Sequence, residues 1–176
     1  MGLRCRLNEL CDTVSRTYRS NVSHVVLINT SDVLDGKVLN HEYTANSDLR
    51  GQFKKAFEKD DILYSEIRPK NRRFAYVDFV PQDYIASTKL MVLRARKDFI
   101  EPYFLYQVLK SDAIINELQG LAETRSGTFP QITFSELGNL EVNLPPLPEQ
   151  RVISATLAAF DDRIENNTAI NHHLAA

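Results

Sequence analysis

The chain has 176 residues, 43% of them hydrophobic and 25% charged, with a formal net charge of −2. That size suits one domain with an appendage and room for a substantial core. It excludes a membrane-spanning chain, because no apolar stretch approaches bilayer length, and the mild net charge excludes a uniformly basic nucleic-acid binder.

The start, Met1-Gly2-Leu3-Arg4-Cys5-Arg6, lacks the apolar core of a signal peptide, so a cytoplasmic location is expected. Cys5 and Cys11 have no histidine beside them and fit no zinc spacing; reduced packing thiols are expected. Val25-Val26-Leu27-Ile28 is a short apolar run. Val33-Leu34 and Val38-Leu39 flank Asp35-Gly36, a pair that favours the positive φ of a tight hairpin turn. Residues 62–67 and 74–79 are β-rich runs joined by Arg68-Pro69-Lys70-Asn71-Arg72-Arg73, and residues 89–94 predict a further strand.

The second half turns helical. Pro102 suits a first helical position, and Phe104, Leu105, Val108 and Leu109 recur at helical spacing. Ile114, Ile115, Leu118 and Leu121 continue after a break at Ser111-Asp112. A loop follows at 125–131, then Thr133 and Glu136 at capping-box spacing, then a strand at Leu140–Leu144. Strands first and helices later predict an α+β domain with a mixed or antiparallel sheet. Pro145, Pro146 and Pro148 mark a boundary between a domain at 1–145 and a helical arm at 146–176. In the arm, Ile153, Leu157, Phe160 and Ile164 are spaced 4-3-4, and the register continues through Asn167, Asn171 and Leu174. That is a coiled-coil seam; an amphipathic helix folded back on its own domain shows the same stripe.

Charge is segregated. Residues 49–97 hold twelve Lys/Arg against six Asp/Glu, and residues 98–176 hold four against eleven. A local basic field can steer a polyanion, since screening confines charge effects to about 10 Å. An unevenly charged solvated surface gives the same counts.

Leu140-Glu141-Val142-Asn143-Leu144-Pro145-Pro146-Leu147-Pro148-Glu149-Gln150, continuing Arg151-Val152-Ile153, resembles the signature closing a recognition domain in specificity subunits of type I restriction–modification systems. Leu157 to Asn167 looks like the start of that family's helix. Upstream, Asp61-Ile62-Leu63-Tyr64-Ser65-Glu66-Ile67-Arg68-Pro69 and Gly127-Thr128-Phe129-Pro130-Gln131-Ile132 are similar to family segments in the same order. The resemblance implies a target recognition domain that selects a DNA sequence, has no active site, and holds methyltransferase subunits. Through these a motor-nuclease subunit joins the complex. S-adenosylmethionine, ATP and magnesium are then expected only on partner subunits. Full-length members carry two recognition domains separated by an antiparallel helix pair and read a bipartite target. One domain and one helix match here, a half-length form expected to pair with itself as a homodimer through Ile153, Leu157, Phe160 and Ile164.

Two segments supply the expected DNA contacts. The basic turn offers Arg68, Lys70, Arg72 and Arg73 to phosphates, and arginine also grips guanine O6 and N7. The loop offers Arg125, Ser126, Thr128 and Gln131, with Gly127 allowing close approach. The same loop also reads as a structural turn seated by Phe129. Arg94, Arg96 and Lys97 extend the basic surface or are solvated charge. His24, His41, His172 and His173 are scattered, with no ligand cluster. Leu144-Pro145-Pro146-Leu147 lacks the polar and aromatic neighbours of an adenine methyltransferase motif. Glu66-Ile67-Arg68 has arginine where a metal-dependent nuclease strand has lysine, and no Walker loop is present. A non-catalytic coiled-coil adaptor or regulator that binds protein instead of DNA is the alternative.

Overall fold

A computed structural model describes residues 2–19, 21–46, 51–125 and 128–174, the side chains of 172–174 excepted. The strands are β1 (Leu3–Arg6), β2 (Cys11–Thr13), β3 (His24–Ile28), β4 (Val33–Leu34), β5 (Lys37–Val38) and β6 (Thr44–Ala45). They continue as β7 (Phe53–Lys55), β8 (Ile62–Ser65), β9 (Phe74–Tyr76), β10 (Tyr84–Ser87), β11 (Leu90–Ala95) and β12 (Glu141–Leu144). The helices are α1 (Leu7–Leu10), α2 (Pro102–Leu109), α3 (Asp112–Arg125), α4 (Phe134–Gly138) and α5 (Leu147–Leu174).

Strands β2, β11, β8 and β9 make an antiparallel sheet in that order, and β6, β3, β10 and β7 make a second, mixed sheet in which β3 and β10 run parallel. The antiparallel sheet is the middle layer. Side chains alternate across a strand, so Ile62, Tyr64, Met91 and Leu93 face the helices with Leu105, Leu109, Ile115 and Leu118. Their neighbours Leu63, Leu90 and Val92 face the second sheet, against Val26, Ile28 and Ala86. Covering both faces explains why β8 is buried at every position, Ser65 included. Fully burying each such apolar side chain contributes roughly 1.5–3 kcal/mol. The α+β expectation with a mixed and antiparallel sheet is met.

The Asp35-Gly36 turn forms as predicted, with φ of 45° and 100°. Gly36 is required twice: its positive φ disfavours a side chain, and a Cβ there would lie 2.1 Å from Tyr106 Oη. The turn rests on the edge of β9, Gly36 N–H donating to the Phe74 carbonyl at 2.9 Å. Pro102 opens α2 behind a Glu101 cap, and Thr133 with Glu136 forms the capping box of α4. The strand predicted over 74–79 ends at Tyr76. Strands β1, β2, β6, β7 and β10 and helix α1 carry no period long enough to read; β1 pairs with β12 from the opposite end of the chain.

Candidate nucleic-acid interface

Four chain segments join into one hydrogen-bonded rim at an end of the sheets. Thr88 N–H donates to the Gln52 carbonyl (2.7 Å), Glu66 N–H to Lys89 (3.1 Å), Ile132 N–H to Glu66 (2.8 Å) and Arg68 N–H to Pro130 (3.1 Å). Ile67 and Gln131 form an antiparallel bridge between the third segment and the fourth. The two stretches singled out in the sequence are therefore spatial neighbours.

The basic turn divides here. Arg68 takes the left-handed conformation, with φ of 45°, and its guanidinium points to the Thr128 carbonyl at 3.4 Å. Lys70 is exposed; its backbone N–H donates to the side-chain oxygen of buried Gln119 at 3.2 Å, tying the turn to α3. No ion pair holds the Lys70 ammonium among the described residues. Arg72 and Arg73 fold away from the rim instead. Arg72 donates to Asp35 (2.9 Å), Asp112 (3.1 Å) and the Lys110 carbonyl, and covers the Phe74 ring at 5.6 Å. The Asp35 hydrogen bond raises the Arg72 pKa further. Arg73 donates to the carbonyls of Ser31 (3.1 Å) and Val33 (3.3 Å).

In the loop, Thr128 is exposed and Gln131 half-buried. Phe129 is 54% exposed and Pro130 beside it is buried. Arg125, exposed, donates to both carboxylate oxygens of Glu136 at 3.1 Å. Burial pushes the Glu136 carboxyl up, but Thr133 and Arg125 outweigh this and hold it below the usual range. Ser126 and Gly127 lie outside the described residues.

Beyond the rim, Arg94, Arg96 and Lys97 are bound within the molecule. Arg94 grips Asp61 through two 2.7 Å bonds, and Asp61 is 1% exposed. Arg96 pairs with Asp12 (2.6 Å) and Lys97 with Asp60 (2.8 Å). Among the described residues no group of histidine, cysteine, aspartate or glutamate could hold a metal ion. Burial pushes the Cys11 thiol up to about 12, so it is an unreactive packing group. His41 bonds Tyr84 and the Val38 carbonyl, and His24 bonds Ser23.

The arm α5 meets the domain through polar groups. Gln150, fully buried, accepts from Glu101 N–H and donates to the carbonyls of Phe99 and Pro145. Ser154 bonds Glu101, and Asp161 accepts from Tyr103 (2.6 Å), Lys110 (3.0 Å) and Gln107 (3.1 Å). Glu165 pairs with Lys37 beside a cleft of about 1020 Å³ lined by Asp35, Arg72, Tyr76 and Tyr106. Ile153 and Phe160 stand 38% and 56% exposed, Ile164, 64% exposed, lines the same cleft, and Leu157 is half-buried. Asn167 and Asn171 are exposed; the seam position Leu174 falls on side chains outside the described set. Gln150, Asp161 and Lys89 were not singled out from the sequence. Gln150 lies inside the proline motif, so its position was visible, but its partners were not.

Among solved structures, this two-sheet and helix layer with a C-terminal helix is the fold of type I restriction–modification chains. The specificity subunit HsdS from Thermoanaerobacter tengcongensis matches with a TM-score of 0.78 at 28% identity, over 96% of this chain and 44% of that one. A chain from a structure describing complex assembly and conformational transition of the type I R-M system matches equally. The type I S subunit from M. genitalium, at 18% identity and a TM-score of 0.54, agrees in fold alone. The chain belongs to the family of type I restriction modification DNA specificity domains, which matches residues 6–176. It is 43% identical over 169 residues to the HindI specificity subunit of Haemophilus influenzae, covering 96% of this chain and 37% of that protein. It is 32% identical over 106 residues (59% of this chain) to the putative MjaX specificity subunit of Methanocaldococcus jannaschii, covering 25% of it. The chain thus spans less than half the length of these relatives. No helix among the described residues is long and apolar enough to cross a membrane.

Proposed function

We propose that this chain reads a DNA sequence for a type I restriction–modification complex, directing adenine methylation and restriction carried out by partner subunits. The supporting observation is the rim: in a chain of this family, Arg68, Lys70, Thr128 and Gln131 lie on neighbouring, hydrogen-bonded segments. Arg68 and Lys70 meet phosphates. Gln131 reads a base edge, with Arg125 following once it exchanges Glu136 for DNA. Ser126 and Thr128 belong to the same loop. Arg72 and Arg73, though basic, serve the framework.

The chain is non-catalytic in this account. S-adenosylmethionine, ATP and magnesium act on the methyltransferase and motor-nuclease partners, and the complex works in the cytoplasm. The arm joins two copies: Ile153, Leu157, Phe160 and Ile164 pair with the same residues of a second chain about a two-fold axis. Two identical readers then recognise an interrupted palindrome. Asn167 and Asn171 fix the register.

Mapping methylated adenines in cells that express this chain with its cognate methyltransferase tests the proposal. One interrupted palindromic motif is expected, and Gln131→Ala relaxes one base position in each half, by about 1–3 kcal/mol of discrimination for a bidentate contact. Methylation that ignores this chain, or none in a complex that assembles, would refute it.

A further inference from the structure

The turn between β10 and β11 lies one segment away from the Arg68–Gln131 pairing and was not assigned by the motifs. Its geometry is tightly fixed. Thr88 N–H donates to Gln52, Lys89 N–H to Ser87 Oγ (3.3 Å), and the Lys89 carbonyl accepts from Glu66. The carbonyls of Thr88 and Leu90 both accept from the Lys55 ammonium, at 3.0 and 2.7 Å. Every carbonyl from 88 to 90 is thus engaged.

Lys55 makes no ion pair among the described residues, which is unusual for a half-buried cation. Burial, with Lys89 nearby, pushes its pKa down, although Glu66 opposes this. An apolar side chain would fill the site without that penalty, so the lysine answers a need of the turn. Above it, Lys89 is half-exposed and sits 3.9 Å from Glu66, beyond hydrogen-bond length. Arg94, Arg96 and Lys97, by contrast, are held at 2.6–2.8 Å.

We infer that Lys89 is a further contact to the DNA backbone and that Lys55 is the positioning residue that presents it. This rests on the DNA-reading proposal above. Lys89, Glu66 and Ile132 occupy successive hydrogen-bonded segments, each about 4.8 Å from the next. Lys89 therefore lies about 10 Å from the reading loop, within the roughly 12 Å width of a major groove. The loop enters the groove while Lys89 meets a phosphate on its wall, and the weak hold of Glu66 yields to the stronger anion. Lys55, Lys89 and Glu66 together leave one net positive charge facing that phosphate.

The test is duplex-DNA binding by the full chain across a salt series, for the parent, Lys89→Ala, Lys89→Arg, Lys55→Met and the Lys55→Met/Lys89→Ala pair, with Arg68→Ala as reference. Removing one phosphate contact lowers the log–log salt slope by about 0.9, so the fall in affinity between 50 and 200 mM becomes about 3.5-fold smaller. Lys89→Ala is expected to show that change and Lys89→Arg to keep the parent slope. Lys55→Met should weaken binding as Lys89→Ala does, with no further loss in the double variant. Lys55→Leu, which also removes the donor, replaces it if the methionine variant does not fold. An unchanged slope in Lys89→Ala while Arg68→Ala loses one overturns this inference and leaves the DNA reading intact. Additive losses overturn the role of Lys55. No duplex binding by the parent overturns both.

Discussion

The two ends of the Arg68–Arg73 turn carry the same charge and meet different fates. Arg68 and Lys70 sit on the rim with a distant carbonyl or no ion-pair partner among the described residues, whereas Arg72 and Arg73 are consumed by carboxylates and carbonyls of neighbouring segments. A cation already satisfied inside the molecule loses those bonds when it turns to DNA; an uncommitted one does not. Counting basic residues therefore overstates a binding surface. Over residues 49–97, Arg72, Arg94, Arg96 and Lys97 are held by carboxylates, and Lys55 and Arg73 by backbone carbonyls.

The committed cations should reveal themselves through stability. Arg94→Ala strips the partner from Asp61, a carboxylate buried to 1% exposure, and should destabilise the fold by about 3–5 kcal/mol in denaturant unfolding. A loss below 1 kcal/mol would mean that Asp61 is not dependent on that pair. Arg72→Ala removes two partly exposed ion pairs and a ring contact, for a loss of about 1–2 kcal/mol. It should leave the salt slope of DNA binding untouched.

A smaller effect is expected in the arm. Burial pushes the Asp161 carboxyl up, but the Tyr103 and Lys110 hydrogen bonds outweigh it and hold it below the usual range. A depressed folded pKa stabilises above the unfolded value and loses that contribution as pH falls through the folded one. Asp161→Asn should therefore lower the melting temperature at pH 7, with the gap to the parent closing below about pH 4. A gap that is constant with pH would assign the effect to shape rather than charge. Smallest of all, Lys70→Ala should change stability by less than about 0.5 kcal/mol.

Local features were legible in the sequence where one short segment decides them. The Asp35-Gly36 turn, the Thr133–Glu136 box and the helix opened by Pro102 depend on residues a few positions apart. The buried runs of β8 and β11 were also legible, although only the fold explains why both faces are apolar. Pairings between distant segments were not: β1 with β12, the Glu66–Ile132 step of the rim, or Gln150 with Phe99 and Glu101 leave no period behind. The interface residues were named from charge and motif alone. Which cations are free depends on carboxylates such as Asp112 and Asp35, about 40 positions from Arg72, and no spacing rule reaches that far. The arm's apolar stripe was visible, but not that its inner face holds the domain through Asp161 and Gln150.

The central claim, that the rim faces DNA and the far end of the turn does not, is tested most directly by the salt dependence of duplex binding in two paired variants. Arg68→Ala/Lys70→Ala should lower the log–log slope by about 1.8, two phosphate contacts' worth, while Arg72→Ala/Arg73→Ala, where folded, keeps the parent slope. The reverse pattern, with the slope lost in Arg72→Ala/Arg73→Ala and kept in Arg68→Ala/Lys70→Ala, would contradict it.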